Sequence, residues 1–126
     1  MAESTRLVDL VQESIDQFLA DQESALTAIS PDLLPYLELS QSLLRGGKRF
    51  RALFCYWGWK AVADEDSTGG RGLSSVVDAA SALEIFHAAA LVHDDVIDNS
   101  DTRRGQPSAH RRYEKLHKDS GWRGDS

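Results

Sequence analysis

Apolar residues recur at helical spacing along almost the whole chain, and this periodicity most limits how the chain can fold. In the first segment, the apolar stripe consists of Leu7, Leu10, Val11, Ile15, Phe18 and Leu19. No strand-like alternation or internal repeat stands out over the 126 residues. The sequence therefore predicts an all-α fold.

Capping residues, prolines and glycines divide this pattern into five predicted helices. Ser4 or Thr5 would cap the first helix, which ends near Ser30-Pro31 because proline disfavours a helical residue before it. The Gly46-Gly47 pair separates the second helix from the third. The later predicted helices cover residues 32–44, 48–63, 74–98 and 107–118, with loops at 64–72 and 99–106.

The overall charge and the cysteine content exclude some classes of protein. A net charge of -6 argues against a nucleic-acid-binding protein, which is usually basic. A single cysteine, Cys55, excludes an intramolecular disulfide and fits a reducing, cytoplasmic location. The chain begins without a secretion signal, and the apolar stretch 79–92 is too short and too polar for stable membrane insertion.

The third and fourth predicted helices are apolar around much of their circumference, so each needs neighbours on several sides. Three other helices are few for that purpose. We therefore expect residues 1–126 to form a single but incomplete domain of a larger helical body.

The fourth helix ends in a group of acids, Asp94, Asp95 and Asp98. Asp94 and Asp98 are one turn apart and share a face, whereas Asp95 points about 100° away. Acids near a helix C-terminus are unfavourable unless a cation binds them, and carboxylate oxygens suit Mg²⁺ with phosphate as a co-ligand. The simpler alternative is a solvated helix end.

Two basic groups flank these acids in the sequence. In "RGGKRFR", Lys48 and Arg51 are three apart and would share a face at the start of the third helix, where free N–H groups attract phosphate. Arg103 and Arg104 follow the acids, and arginine binds phosphate oxygens in a bidentate manner. The alternatives are a glycine turn with solvated cations, and a surface salt bridge from one arginine to Asp98 or Asp101.

Four motifs in this order resemble the trans-type polyprenyl diphosphate synthase family. They are GGKRxR at 46–51, ExxH at 84–87, DDxxD at 94–98 and RRG at 103–105. The resemblance covers essentially the whole chain and corresponds to the N-terminal part of the family's isoprenoid-synthase helical bundle. It implies a Mg²⁺-dependent transferase that condenses isopentenyl diphosphate with an allylic diphosphate, and a homodimer in full-length form.

The resemblance also implies roles for individual residues. Asp94 and Asp98 would bind the Mg²⁺ ions that bridge to the allylic diphosphate, with Asp95 supporting them and Arg103 contacting the same diphosphate. The diphosphate of isopentenyl diphosphate would be bound by Lys48, Arg51, His87 and Arg104.

The residues before the acids bear on product length. The resemblance implies that the growing hydrocarbon runs along the helix below the acids. Ala89 and Ala90 are small, so no aromatic side chain closes that tunnel directly below Asp94. Phe86, one turn further, is the candidate floor. We therefore expect an all-trans product longer than farnesyl diphosphate, with geranylgeranyl diphosphate the best candidate.

The chain departs from the family pattern in two ways. Ala52 occupies the position after GGKRxR where proline is usual, and a second aspartate-rich motif is absent. We therefore expect the isolated polypeptide to be inactive or nearly so.

Three other functions remain open at this stage. A terpene cyclase would use the acids without the second diphosphate site. A non-catalytic subunit or interaction module would present its apolar helices to a partner. An HD-type metal phosphohydrolase would use His87, His93 and Asp94, although the two histidines face different directions on one helix.

Overall fold

The computed structural model describes residues 2–63 and 72–124. Its elements are helix α1 (Ala2–Ile29), a 3₁₀ turn (Pro31–Leu33), α2 (Leu34–Leu44), α3 (Phe50–Val62), α4 (Gly72–Ile97), strands β1 (Thr102–Arg103) and β2 (Gln106–Pro107), and α5 (Ala109–Asp119). The all-α prediction is therefore confirmed, with one small hairpin added. The chain divides into two compact units, Met1–Phe86 and His87–Ser126, which are described in turn.

The first unit has a core formed by one face of α1. Leu7, Val11, Ile15 and Leu19 are buried along it, as the helical spacing predicted. Phe18, which was placed in the same stripe, is 47 % exposed, because it lies one position away from the face that Ile15 and Leu19 share. The core is completed from α2, α3 and the first part of α4 by Leu37, Leu39, Leu44, Ala52, Tyr56, Val76, Val77 and Ala80.

Polar contacts add to this core at two places. Ser81 Oγ donates to the Val77 carbonyl at 2.8 Å, the helical back-bond expected of a buried serine. At the start of α1, Glu3 accepts hydrogen bonds from the Tyr56 hydroxyl, at 2.7 Å, and from the Lys60 ammonium. The hydrogen bond from Lys60 lowers the pKa of Glu3, and the bond to Glu3 raises the pKa of Tyr56.

Several helix boundaries differ from the sequence prediction. Helix α1 begins at Ala2, so Ser4 and Thr5 lie inside the helix and do not cap it. The first helix does end next to Ser30 as predicted, and the Ser30 Oγ accepts the N–H of Asp32 at 3.2 Å. Gly72, which was assigned to a loop, opens α4, and the rest of the predicted loop at 64–71 lies outside the described residues.

The second unit contains the end of α4, the hairpin and α5. The hairpin was missed because strands of two residues are too short to show alternation. Pro107 was predicted to start the fifth helix but pairs with Thr102 in the hairpin. Ser108 is the N-cap residue instead, and its N–H donates to the Asp101 carbonyl at 2.9 Å.

Among the described residues, α4 alone is long and apolar enough to cross a membrane. The expectation that its apolar stretch is too short was wrong, because the helix continues back to Gly72 through Val77 and Val76. Core helices meet the same two criteria, and Ala80 and Glu84 of α4 are buried within the first unit. Length and composition are therefore weak evidence for insertion.

Candidate diphosphate and metal site

Of the three acids at the end of α4, two present their carboxylates to solvent and the third is buried. Asp98 directly follows the helix, and its N–H donates to the Asp94 carbonyl at 2.8 Å, which continues the helical spacing. The Asp94 side chain is 63 % exposed and Asp98 is also exposed, whereas the Asp95 side chain is 3 % exposed. This matches the helical geometry, in which Asp94 and Asp98 share a face and Asp95 points away from it. The two exposed carboxylates can therefore reach a ligand in solvent, whereas the buried one can bind a neighbouring side chain.

Asp95 binds Arg103 through both carboxylate oxygens. Arg103 Nε donates to Oδ2 at 2.6 Å and Nη2 donates to Oδ1 at 2.7 Å. This bidentate hydrogen bond lowers the pKa of Asp95 and raises that of Arg103. Asp95 is thus an ionised anchor for Arg103. The suggested salt bridge from an arginine to Asp98 or Asp101 is wrong for Arg103, whose partners are Asp95 and, at 3.9 Å, Asp94.

The hairpin explains why the two adjacent arginines differ. Arg103 lies in β1, whereas Arg104 and Gly105 form its two-residue turn. Both turn residues have positive φ, 52° and 76°, the backbone sign that favours a tight hairpin. Arg104 is consequently exposed at the tip while Arg103 is half-buried against α4.

A C-terminal cap and a single arginine hold this segment together. Asn99 adopts the left-handed conformation, and the N–H groups of Asn99 and Ser100 donate to the carbonyls of Val96 and Asp95, as in a Schellman motif. Arg111 of α5 donates to Asn99 Oδ1, to Asp101 Oδ1 and to both oxygens of Glu114, at 2.7–2.9 Å. These contacts fix the backbone of the residues that follow Asp98.

The donor set at this end of α4 fits magnesium. Within residues 2–63 and 72–124, no group of three or more His, Cys, Asp or Glu side chains is arranged to hold a metal. Mg²⁺ does not need such a cage, since it usually keeps several waters and binds one or two carboxylates together with substrate phosphate. Asp94 and Asp98 present two exposed carboxylates one turn apart, which are oxygen donors of the kind that Mg²⁺ binds.

The basic segment of the first unit differs from its prediction in register. Helix α3 begins at Phe50, so Lys48 precedes it, and the helical spacing used to align Lys48 with Arg51 does not apply. Both side chains are nonetheless exposed. Lys48 Nζ lies 5.8 Å from the centre of the Phe50 ring.

Between these two exposed cations, Arg49 is buried. Its Nη1 lies 3.4 Å from Glu84 Oε2, and its Nη2 donates to Gln12 Oε1 at 2.6 Å and to the Leu44 carbonyl. Arg49 received no role from the sequence alone. The available signal was Glu84, a carboxylate within an apolar helical stretch, because a buried charge requires a partner.

The remaining predicted site residues belong to the second unit or its boundary. His87 is half-buried on α4 and Arg104 is exposed, so the grouping of both with Lys48 and Arg51 around one ligand stays a prediction. Ala89 and Ala90 are exposed, and Phe86 is 74 % exposed. Their role in product length also stays a prediction.

A helical chain with an exposed aspartate pair, and an arginine anchored beside it, has the architecture of an all-α isoprenoid synthase. The structure matches that of geranylgeranyl pyrophosphate synthase from Corynebacterium glutamicum, solved with isoprenyl diphosphate and magnesium, with a TM-score of 0.83 and 38 % identity. The match covers 95 % of this chain and 34 % of that one.

The family model described as "Polyprenyl synthetase" matches residues 35–117, and the chain belongs to that family. It is 36 % identical over 100 residues to geranylgeranyl pyrophosphate synthase 9 of Arabidopsis thaliana, covering 75 % of this chain and 26 % of that protein. It is 31 % identical over 112 residues to farnesyl diphosphate synthase of Geobacillus stearothermophilus, covering 81 % and 35 %. The chain thus spans about a quarter to a third of the length of these relatives.

Proposed function

We propose that the chain contributes to a magnesium-dependent prenyltransferase that joins isopentenyl diphosphate to an allylic diphosphate. The product would be a longer all-trans polyprenyl diphosphate, with geranylgeranyl diphosphate the first candidate. The names of the relatives support this chemistry, since they are geranylgeranyl and farnesyl diphosphate synthases. A homodimeric assembly and a cytoplasmic location belong to the same proposal.

One observation carries the proposal: Arg103 is held by buried Asp95 and lies 3.9 Å from Asp94. A guanidinium fixed beside an exposed carboxylate can donate to one oxygen of a ligand while a metal ion on the carboxylate binds another oxygen of the same ligand. A diphosphate bound through metal on Asp94 and Asp98 is such a ligand. The two exposed acids and the anchored arginine therefore act on the same group.

The residues would divide the chemistry as follows. Asp94 and Asp98 would hold Mg²⁺, which supplies electrostatic stabilisation of the leaving diphosphate when bound. Arg103 would donate to the same diphosphate as its negative charge grows. Asp95 keeps Arg103 in place, and is therefore a positioning residue.

The second substrate would be bound by cations that do not depend on the metal. Lys48 and Arg51 are exposed on either side of buried Arg49, and would bind the diphosphate of isopentenyl diphosphate. The resemblance adds His87 and Arg104 to this set. Ala89 and Ala90 would line the hydrocarbon path, and Phe86 would close it.

The other functions have less support. An HD-type phosphohydrolase needs histidines clustered on a metal, and the described part of the chain has no such cluster of three ligands. His93 Nδ1 instead lies 2.9 Å from the carbonyl of Ala89 in its own helix. A terpene cyclase would leave the exposed cations Lys48 and Arg51 without a role.

Binding of an allylic diphosphate tests the proposal without requiring turnover. We expect titration calorimetry to detect binding of farnesyl diphosphate that disappears when EDTA removes Mg²⁺. Asp98→Asn should weaken it by about tenfold or more, because one charged metal ligand is lost. The exposed Asp78→Asn change, also on α4, is the matched control and should leave the affinity unchanged. Binding that is absent, or that is indifferent to both EDTA and Asp98→Asn, would contradict the proposal.

A further inference from the structure

The segment between α2 and α3 is built on backbone conformations that need support. Gly46, Gly47 and Arg49 all have positive φ, at 70°, 95° and 49°. The two glycines adopt such angles freely, but arginine does not. A left-handed arginine persists only where its surroundings hold it there. Arg49 thus occupies a conformation that its side-chain contacts must stabilise.

The Arg49 side chain supplies that support by satisfying the end of α2. Leu44 is the last residue of α2, so its carbonyl has no partner within the helix. Arg49 Nη2 donates to that carbonyl and also to Gln12 Oε1 of α1. The arginine therefore fixes the segment that follows α2 against two helices.

Glu84 performs the matching task at the start of α3. Its Oε1 accepts the N–H of Ala52, one of the unpaired amides in the first turn of α3, at 3.2 Å. Its Oε2 faces Arg49 Nη1 at 3.4 Å. Arg49 itself makes no side-chain cap for α3, so the carboxylate from α4 takes that role.

Both partners are shielded from water, with the Arg49 side chain 4 % exposed and that of Glu84 9 % exposed. On either side of Arg49, Lys48 and Arg51 remain exposed. In the sequence, buried Arg49 therefore stands between the two cations that the proposed function assigns to isopentenyl diphosphate. Whatever fixes Arg49 also limits the directions available to Lys48 and Arg51.

We propose that the buried Arg49–Glu84 pair is a positioning device that holds Lys48 and Arg51 at the separation needed to bind one diphosphate. This inference rests on the proposed function, since it assigns a ligand to those two cations. Arg49 does not touch the diphosphate. The motif GGKRxR then contains two ligand-binding cations and one buried cation that orients them.

The distinguishing property is selectivity between a diphosphate and a monophosphate. A diphosphate spans two cations, so its affinity depends on their relative placement, whereas a monophosphate is satisfied by one. A substitution that removes the contacts of Arg49 should therefore weaken the binding of isopentenyl diphosphate much more than the binding of isopentenyl monophosphate. A purely structural role would weaken both ligands equally.

The test measures the dissociation constants of both ligands for the whole chain and five variants, one of which is Lys48→Ala. Glu84→Gln removes the negative charge, and Arg49→Lys removes the planar guanidinium that contacts Glu84, Gln12 and Leu44 at once, while both retain hydrogen-bonding capacity. We expect each substitution to raise the dissociation constant of isopentenyl diphosphate about tenfold and that of the monophosphate by less than about twofold. Glu38→Gln and Arg6→Lys, at exposed positions, are the matched controls and should change neither constant.

The outcomes separate this inference from the proposed function. If the unaltered chain does not bind isopentenyl diphosphate, or if Lys48→Ala leaves its binding unchanged, the proposed function fails and this inference with it. If Lys48→Ala weakens binding while Glu84→Gln and Arg49→Lys do not, the positioning role alone is wrong. Equal weakening of both ligands in the Arg49 and Glu84 variants also overturns it.

Discussion

At the scale of single residues, adjacent acids with the same charge have different roles. Asp94 and Asp95 are neighbours in sequence, yet one is exposed and the other is buried against Arg103. The same division recurs at Lys48 and Arg49. In both places a buried ion pair lies next to an exposed charge, so the residue types in the motif do not by themselves show which residue can bind a ligand.

Replacing Asp95 with Asn should destabilise the second unit. The change leaves Arg103 without its bidentate partner, and Arg103 is about one-third exposed, so water offsets part of the loss. We expect a decrease of about 2 kcal/mol in the free energy of unfolding at neutral pH, below the range for a fully buried pair. Urea denaturation followed by circular dichroism measures it, with exposed Asp78→Asn as control.

The pH dependence of that difference follows from the lowered pKa of Asp95. Because the folded state holds the pKa of the Asp95 carboxyl below its ordinary value of 3.8, the ion pair stabilises the fold above that pH. The stabilisation is lost as the pH falls through the pKa of the folded state. Unaltered chain and Asp95→Asn should therefore converge in stability in strong acid. A constant difference at all pH values would show that the pair is not its origin.

At the scale of elements, the start of α3 and the end of α4 depend on backbone conformation as much as on side chains. Gly46 has φ 70° in the segment before α3, whereas Gly58 lies inside α3. A Cβ added at either position would meet no atom within 4 Å. The two glycines therefore differ only in the conformation that alanine would have to adopt.

Substituting each of these glycines by alanine should have opposite effects. Gly46→Ala should lower the free energy of unfolding by about 1 kcal/mol, because alanine is strained at positive φ. Gly58→Ala should raise it by about 0.5–1 kcal/mol, because alanine favours the helix interior. Thermal or urea unfolding of the pair measures both changes. Destabilisation by Gly58→Ala would mean that its position is not open in solution.

Much of this local structure was readable from the sequence, and what was missed has a physical cause. Leu7, Val11, Ile15 and Leu19 were placed correctly because helical spacing repeats over many residues. The hairpin at 102–107 was missed because it depends on two turn residues with positive φ, one of them an arginine.

The candidate site was predictable in its exposed acids and not in its buried partners. Asp94 and Asp98 share a face by helical geometry alone, which needs no knowledge of the tertiary structure. The Arg49 contacts join residues 35 and 37 positions apart, so no local pattern contains them. Asp95 and Arg103 are close in sequence, yet their pairing depends on the hairpin that was not foreseen.

At the scale of the whole molecule, the proposed product length depends on how much space lies beside α4. Ala89 and Ala90 are exposed, so a larger residue at either position can extend into solvent. Ala89→Phe should therefore fold as the unaltered chain does. In a catalytically active form of the protein, its ring would occupy the path of the growing hydrocarbon, and the next addition would be blocked by steric overlap.

We expect Ala89→Phe to shorten the main product by at least one five-carbon unit, measured by chromatography of the dephosphorylated products. Ala20→Phe adds the same ring at an exposed alanine of α1 and should leave product length unchanged. Because the addition of a ring acts on elongation and not on metal binding, the Mg²⁺ dependence should be the same in both variants. An active Ala89→Phe variant that makes the same product as the unaltered protein would show that the hydrocarbon does not run along this face of α4.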